Sequence, residues 1–192
     1  MTPNSESINT EVFRNFPVLH TPRLLLREVL PGDAEEIFRM RSNPNVNRFI
    51  AREGMGDVGD AQKLVERVRE NYSKQNGIAW AAQLRGSGNI IGTCGFNRIE
   101  HANLRAELGG ELSPELWGKN IAFEGVKEIV RFGMREMNLH SIEARIMAGN
   151  LGAVALVEKL GFVKEAHFRE HIHFNGKFCD LLVYSLVKGN KR

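Results

Sequence analysis

The sequence predicts a single α/β domain, a mixed sheet of about seven strands with helices packed against it. Three observations carry this reading. Apolar residues alternate with polar ones in some segments and recur every three or four residues in others, so strands and helices interleave along the chain. Asn175-Gly176 stands between two alternating runs, the strongest short hairpin signal in the sequence. The 192 residues, 42% hydrophobic and 26% charged, suffice for one full core and are rather short for two.

In chain order, residues 1–15 carry no clear period and read as a flexible arm, leaving 16–192 as the domain. Leu24-Leu25-Leu26-Arg27-Glu28 is a first strand. Pro31-Gly32-Asp33 is a turn, with Asp33 as N-cap and Glu36 as its capping-box partner; Asn43-Pro44 ends the helix that follows. Residues 52–59 contain three glycines and read as a mobile surface loop. Residues 60–76 form a helix with Leu64, Val65 and Val68 on one face. Strands at 79–84 and 90–97 flank the hairpin loop Arg85-Gly86-Ser87-Gly88-Asn89, and 104–112 is a third strand. The helix at 122–137 turns Ala122, Val126, Ile129, Val130, Gly133 and Met137 one way. A strand at 141–146 faces Ile142, Ala144 and Ile146 inward, and a helix at 151–160 carries the stripe Ala153, Leu156, Val157 and Leu160 before Gly161 as C′ glycine. Strands at 162–174 and 177–188 close the chain as a hairpin.

Composition removes several function classes. No apolar run approaches the ~20 residues that span a bilayer, so no membrane role is expected. Met1 to Thr10 is polar and contains Glu6, unlike a secretory signal. Cys94 and Cys179 lie far apart, which argues for packed thiols in a reducing cytoplasm rather than a disulfide framework or a metal site. A net charge of +3 suits an anionic cofactor but falls far short of a nucleic-acid-binding stripe. His167, His171 and His173 share one strand face with Glu165, but no cysteine or metal motif accompanies them, so they read as structural or acceptor-facing and no metal is expected. Glu158-Lys159 reads as a solvated helix face.

The chemistry concentrates between Leu112 and Phe162. The turn Trp117-Gly118-Lys119-Asn120-Ile121-Ala122 enters a long helix. The free N–H groups of a first helical turn and the helix dipole favour an anion, so this is a place for a phosphate. Upstream, period two puts Glu107, Gly109 and Glu111 on one strand face and Ala106, Leu108, Gly110 and Leu112 on the other. A carboxylate there is placed to accept a proton, with Glu107 the first candidate and Glu111 the second. Gly109-Gly110 inside a strand points to a bulge or a close backbone approach.

Taken together, Thr21-Pro22-Arg23-Leu24-Leu25-Leu26-Arg27, the turn Trp117 to Ala122, the block Asn150 to Phe162, and the ending Asn175-Gly176-Lys177 with Asp180 and Tyr184 resemble the GNAT N-acetyltransferases. Within that superfamily they resemble the Rim-type ribosomal-protein N-terminal acetyltransferases. The likeness covers Val18 to Lys188. It implies a mostly antiparallel central sheet with a splayed cleft, acetyl-CoA as donor, an amine as acceptor, and compatibility with a homodimer. By the same resemblance the pyrophosphate rests on Trp117, Gly118, Lys119, Asn120, Ile121 and Ala122, and the pantetheine runs along Gly110, Glu111 and Leu112 with Asn150 at its side.

Three positions depart from the family pattern. Asn120 stands where glycine is common, and asparagine is among the non-glycine residues that best tolerate a left-handed backbone. Gly110 stands where the branch often has tyrosine, implying a more open pocket. Ala153 stands where many relatives carry a serine that donates a proton to the departing thiolate; Tyr184 or a water would take that role. A thiol of pKa ~8.5 leaves tolerably without such help. An α-amine of pKa ~7.8 is about a tenth neutral at pH 7, whereas a lysine amine near ~10.4 is neutral only about once in a few thousand. The expected reaction is therefore direct attack by a protein N-terminal α-amine in a ternary complex. Acetylation of a small amine (an aminoglycoside or polyamine) and a non-catalytic acyl-CoA-binding module are the alternatives.

Overall fold

The computed structural model describes residues 7–189; residues 1–6 of the expected arm and 190–192 lie outside it. The chain runs through β1 (Leu19–His20), β2 (Leu24–Glu28), α1 (Ala34–Arg41), α2 (Pro44–Asn47), α3 (Val58–Ser73), β3 (Ile78–Leu84), β4 (Ile90–Glu100), β5 (Arg105–Leu112), α4 (Ile121–Arg135), β6 (Ser141–Met147), α5 (Leu151–Lys159), β7 (Val163–Phe174) and β8 (Lys177–Val187). Among the described residues eight strands form one open sheet in the order β1-β2-β3-β4-β5-β6-β8-β7. Every neighbouring pair is antiparallel except β5–β6. The strand beyond the expected seven is Leu19–His20, whose two residues are too short to show a period.

Alternation along the strands divides the core between two faces. Leu24, Leu26, Trp80, Phe96, Ala106, Leu108, Ile142 and Ala144 pack with Ile121, Val126, Ile129, Val130 and Phe132 of α4 and Val157 of α5. On the other face Ala81 and Ile90 pack with Ile37 of α1 and with Ala61 and Val65 of α3. Trp80 is fully buried, and its indole N–H donates to the Pro17 carbonyl at 2.7 Å, which satisfies the one polar atom of that side chain. In α4 the buried set also includes Gly125 and Phe132, a wider face than the periodicity indicated.

Several expectations are corrected. Residues 7–15 do not hang free: Ile8 is buried, the Asn9 N–H donates to the Met137 carbonyl at 2.9 Å, and Phe13 packs on Tyr72. These contacts lie far off in sequence, so no local period reports them. Asp33 does not cap α1. Its carboxylate takes both terminal nitrogens of Arg27 at 2.8 Å and the Leu30 N–H at 2.8 Å, and the buried ion pair outcompetes the capping box. Asn43 does more than end a helix, since its side chain accepts the Asn45 N–H and caps α2. Asp57 caps α3, which starts at Val58 inside the segment read as a loop.

Candidate active site

Strands β5 and β6 pair only from Arg105↔Ser141 to Leu108↔Ala144. Beyond that point Gly109 to Leu112 stays on β4, and Arg145 to Met147 stays on β8. The two strands thus diverge in mid-sheet, and the gap connects the α4 face with the α1/α3 face. Its β5 lip is shaped by Asn97, an extra residue in β4 between Phe96↔Leu108 and Arg98↔Glu107. A Cβ on Gly109 would lie 2.1 Å from Asn97 Nδ2, and one on Gly110 would lie 2.8 Å from the Cβ of Cys94. A side chain on Gly110 would run into β4, so only glycine fits there. Burial raises the Cys94 thiol to about 12, so it is neutral and packed.

On the α4 side the lip continues into Trp117 to Ala122. Asn120 is left-handed (φ 58°), as is Gly118 (φ 73°). Asn120 occupies the N-cap of α4, yet its side chain caps nothing. Its Oδ1 instead accepts Lys159 Nζ at 3.1 Å, and that ammonium sits 4.3 Å above the Phe123 ring. Among the described residues the N–H groups of Gly118, Lys119, Asn120, Ile121 and Ala122 donate to no protein acceptor. Five unpaired donors at the start of a 15-residue helix are the chemistry of an anion site. The Trp117 indole, half exposed, donates to the Leu112 carbonyl at 2.8 Å and ties the turn to the end of β5.

The turn is anchored from behind by the chain's opening motif. Arg23 donates to the carbonyls of Lys119 (3.1 Å) and Asn120 (3.2 Å). Glu124, in the first turn of α4, accepts Thr21 Oγ1 at 2.5 Å, the Arg23 N–H at 2.8 Å and Arg23 Nε at 2.6 Å. With the carbonyls held on this side, the N–H groups are left for the other. Burial alone would raise the Glu124 carboxyl, but the Thr21 and Arg23 donors outweigh it and hold it below its ordinary value. A carboxyl depressed in the fold stabilises it above its unfolded value near ~4.3 and loses that contribution as pH falls through the lower folded value. Wild type should therefore be more stable than Glu124→Gln at pH 7, and urea midpoints of the two should converge as pH falls below about 4.

Asn120 yields a second prediction. Asn120→Gly should keep the stability of the fold, because the backbone there is already left-handed. Asn120→Ala should lose about 1 kcal/mol in urea unfolding, the cost of that conformation for an ordinary L-residue.

On the α1/α3 face the two candidate carboxylates differ. The Glu111 side chain is 3% exposed and fully engaged: Oε1 accepts Arg41 Nε at 2.5 Å and the Thr93 hydroxyl at 3.3 Å, and Oε2 accepts Arg52 Nη1 at 2.5 Å. Glu107 is half-buried and pairs with no donor among the described residues. It faces Arg98 on β4 and Glu143 on β6, one residue before the splay. The chain after α2 is pinned at both lips of the gap, and the segment read as a mobile loop, 52–59, is pinned at its first residue. Arg52 holds Glu111 of β5, and the Phe49 ring lies where a Cβ on Gly149, just past β6, would be 2.9 Å from it. The glycines of that segment suggest mobility, but the contact that fixes its start comes from a residue 59 positions away.

Asn150 caps α5, its Oδ1 accepting the Ala153 N–H at 3.2 Å, which leaves its amide nitrogen for the cleft. The methyl of Ala153 has no proton to give. Tyr184 is 3% exposed, and its hydroxyl donates to Glu158 at 2.9 Å. Burial raises this phenol and Glu158 adds to the effect, so it stays protonated. Glu158 and Lys159 are exposed, as a solvated helix face requires, and each also holds a partner: Glu158 the Tyr184 hydroxyl and Lys159 the Asn120 side chain. Lys159, Arg23 and Thr21 are the site residues that sequence reasoning missed, and nothing local to them names their partners. His167 bonds Asp180 at 2.7 Å, and His173 packs against Phe178 with tilted rings whose centroids are 4.9 Å apart.

Comparison with known proteins agrees with this geometry. Residues 23–163 match the acetyltransferase (GNAT) domain family. An uncharacterized N-acetyltransferase of Bacillus subtilis, YoaA, is 35% identical over 173 residues, covering 90% of this chain and 98% of that protein. The spermidine N(1)-acetyltransferase of Vibrio cholerae is 26% identical over 159 residues, covering 83% of this chain and 90% of its own. The solved structure of RimL, a ribosomal L7/L12 alpha-N-protein acetyltransferase in complex with coenzyme A, superposes with a TM-score of 0.82 at 15% identity, covering 89% of this chain and 98% of that one. A splayed parallel pair, a helix-start turn with free N–H groups and these matches lead to one conclusion: the chain belongs to the GNAT acetyltransferases and is an acetyl-CoA-dependent N-acetyltransferase.

Proposed function

We propose that this enzyme transfers the acetyl group of acetyl-CoA to the N-terminal α-amine of a protein, an acceptor of the ribosomal-protein type. The observation that carries the reading is the poverty of its proton-transfer groups. Glu111 has both oxygens occupied, Ala153 lacks a donor, and Tyr184 is committed to Glu158. Of these candidate groups Glu107 remains to take a proton, directly or through a water, since it pairs with no donor among the described residues. Such a site suits an amine that is already partly neutral at pH 7, and an α-amine fits that condition about two orders of magnitude better than a lysine side chain.

Acetyl-CoA supplies the thioester. In the proposed arrangement the N–H groups of Gly118 to Ala122 hold the pyrophosphate, with Lys159 as a nearby cation, and the pantetheine lies between Gly110 to Leu112 and the free amide nitrogen of Asn150. The amine nitrogen bonds to the acetyl carbon as the carbon–sulfur bond breaks. The amine's proton passes toward Glu107, and the thiolate leaves with a proton drawn from water.

Likeness to a spermidine acetyltransferase raises a polyamine as a second acceptor. Against it stand Arg41 and Arg52 beside the cleft, which repel a polycation. The test uses a peptide with both a free N-terminus and an internal lysine, incubated with isotope-labelled acetyl-CoA and mapped by mass spectrometry. Label on the α-amine is expected. Label on lysine side chains only, or on spermidine only, would overturn the reading.

A further inference from the structure

The guanidinium groups around Glu111 outnumber what that carboxylate can satisfy. Arg41 is about four-fifths buried (19% exposed side chain), yet only its Nε is paired; among the described residues its two terminal nitrogens donate to nothing. Arg52, 18% exposed, is fixed by Glu111 and by Asn47 Oδ1, which accepts its Nε at 3.0 Å and its Nη2 at 2.7 Å. Asn47 also donates its amide to the Arg41 carbonyl, so both arginines are held in place. Arg67 of α3 lies close enough to act on Arg41 and has no acidic partner among the described residues. Arg52 and Arg67 thus both act on Arg41 as like charges, while Glu111 is the carboxylate that pairs with it. Burial first, and then Arg52 and Arg67, push Arg41 below its ordinary value, while Glu111 opposes them.

The position of this excess matters. Glu111 lies on the β5 lip of the gap, on the α1/α3 face, opposite the side where the turn before α4 offers its N–H groups. On the reading that the α-amine acceptor enters from the α1/α3 face, it meets Arg41, mostly buried with its terminal nitrogens unpaired, and the exposed Arg67 near it. Charged donors so placed repel a cationic acceptor and form strong hydrogen bonds with a carboxylate.

We propose that the acceptor is an acidic N-terminal segment, with Asp or Glu in its first few residues bound by the free terminal nitrogens of Arg41 and by Arg67. This deepens the α-amine reading and rests on it. The experiment compares two lysine-free, C-terminally amidated peptides that share the same first residue, one with glutamates at its next positions and one with glutamines. For wild type, kcat/KM should favour the acidic peptide about tenfold at low salt, the scale of one charge-assisted hydrogen bond. The ratio should shrink as salt rises. Arg41→Gln should bring the ratio close to one. Arg67→Gln, at an exposed helix position that does not endanger folding, should lower it about threefold, as expected for an exposed charge. Equal rates on both peptides with wild type, or an acidic preference untouched in Arg67→Gln, would overturn the proposal while leaving α-amine acetylation standing. Acetylation of spermidine with neither peptide modified would remove both readings. Acetylation of free glutamate with neither peptide modified would keep the anion preference and remove the protein acceptor.

Discussion

Glu107→Gln should lower kcat on an α-amine peptide by about 10²-fold or more, the scale of a positioned proton acceptor. CoA affinity and the unfolding midpoint should stay near those of wild type. Glu107 is half-buried and pairs with nothing among the described residues, so an isosteric amide strands no partner. Its neighbour across the β5–β6 pair, Glu143, is already compensated by Arg105 at 3.9 Å and Arg145 at 3.4 Å. Steady-state kinetics combined with calorimetric CoA titration separate the two effects. A variant that keeps kcat within threefold of wild type would assign the proton to water alone.

The second large effect concerns stability. Glu111→Gln should cost about 3 kcal/mol, near the lower end for removing one partner of a buried ion pair, because the arginines keep a fifth of their surface in solvent. The substitution leaves two mostly buried guanidinium groups facing each other without their shared carboxylate. The urea midpoint should fall accordingly. The segment from Arg48 to Asp57 should also become accessible to protease, since Arg52 would no longer hold it to β5. A wild-type midpoint would mean that water and Asn47 suffice to hold the arginines.

The sequence was most informative where the physics is local. Strands β2 to β8 and helices α3, α4 and α5 follow from periodicity, and Asn175-Gly176 from its turn chemistry, with ends shifted by a few residues. At Asn120 the backbone is left-handed, a conformation asparagine tolerates better than most non-glycine residues. Errors arose where a side chain had a choice of partners. Asp33 had a capping position available and took Arg27, since a buried charge needs its counter-ion more than a helix needs one more acceptor. Residues 52–59 have the glycines of a mobile loop, but Arg52 at their start is tied to Glu111 and Val58 near their end begins α3.

By itself the chain determined the order of its elements, the two-faced alternation of its strands, and a helix-start turn fit for a phosphate. Those properties depend on residues a few positions apart. Only the tertiary structure decided that β5 and β6 part after Leu108, that Arg23 and Glu124, 101 positions apart, lock the turn, and that Lys159 replaces a cap at Asn120. It also decided that Glu111 is a structural ion-pair centre while Glu107 is free. Both carboxylates share one strand face, and period two cannot tell them apart. What separates them is the set of cations that α1 and the loop after α2 bring to one and not to the other, a choice made by contacts long in sequence and short in space.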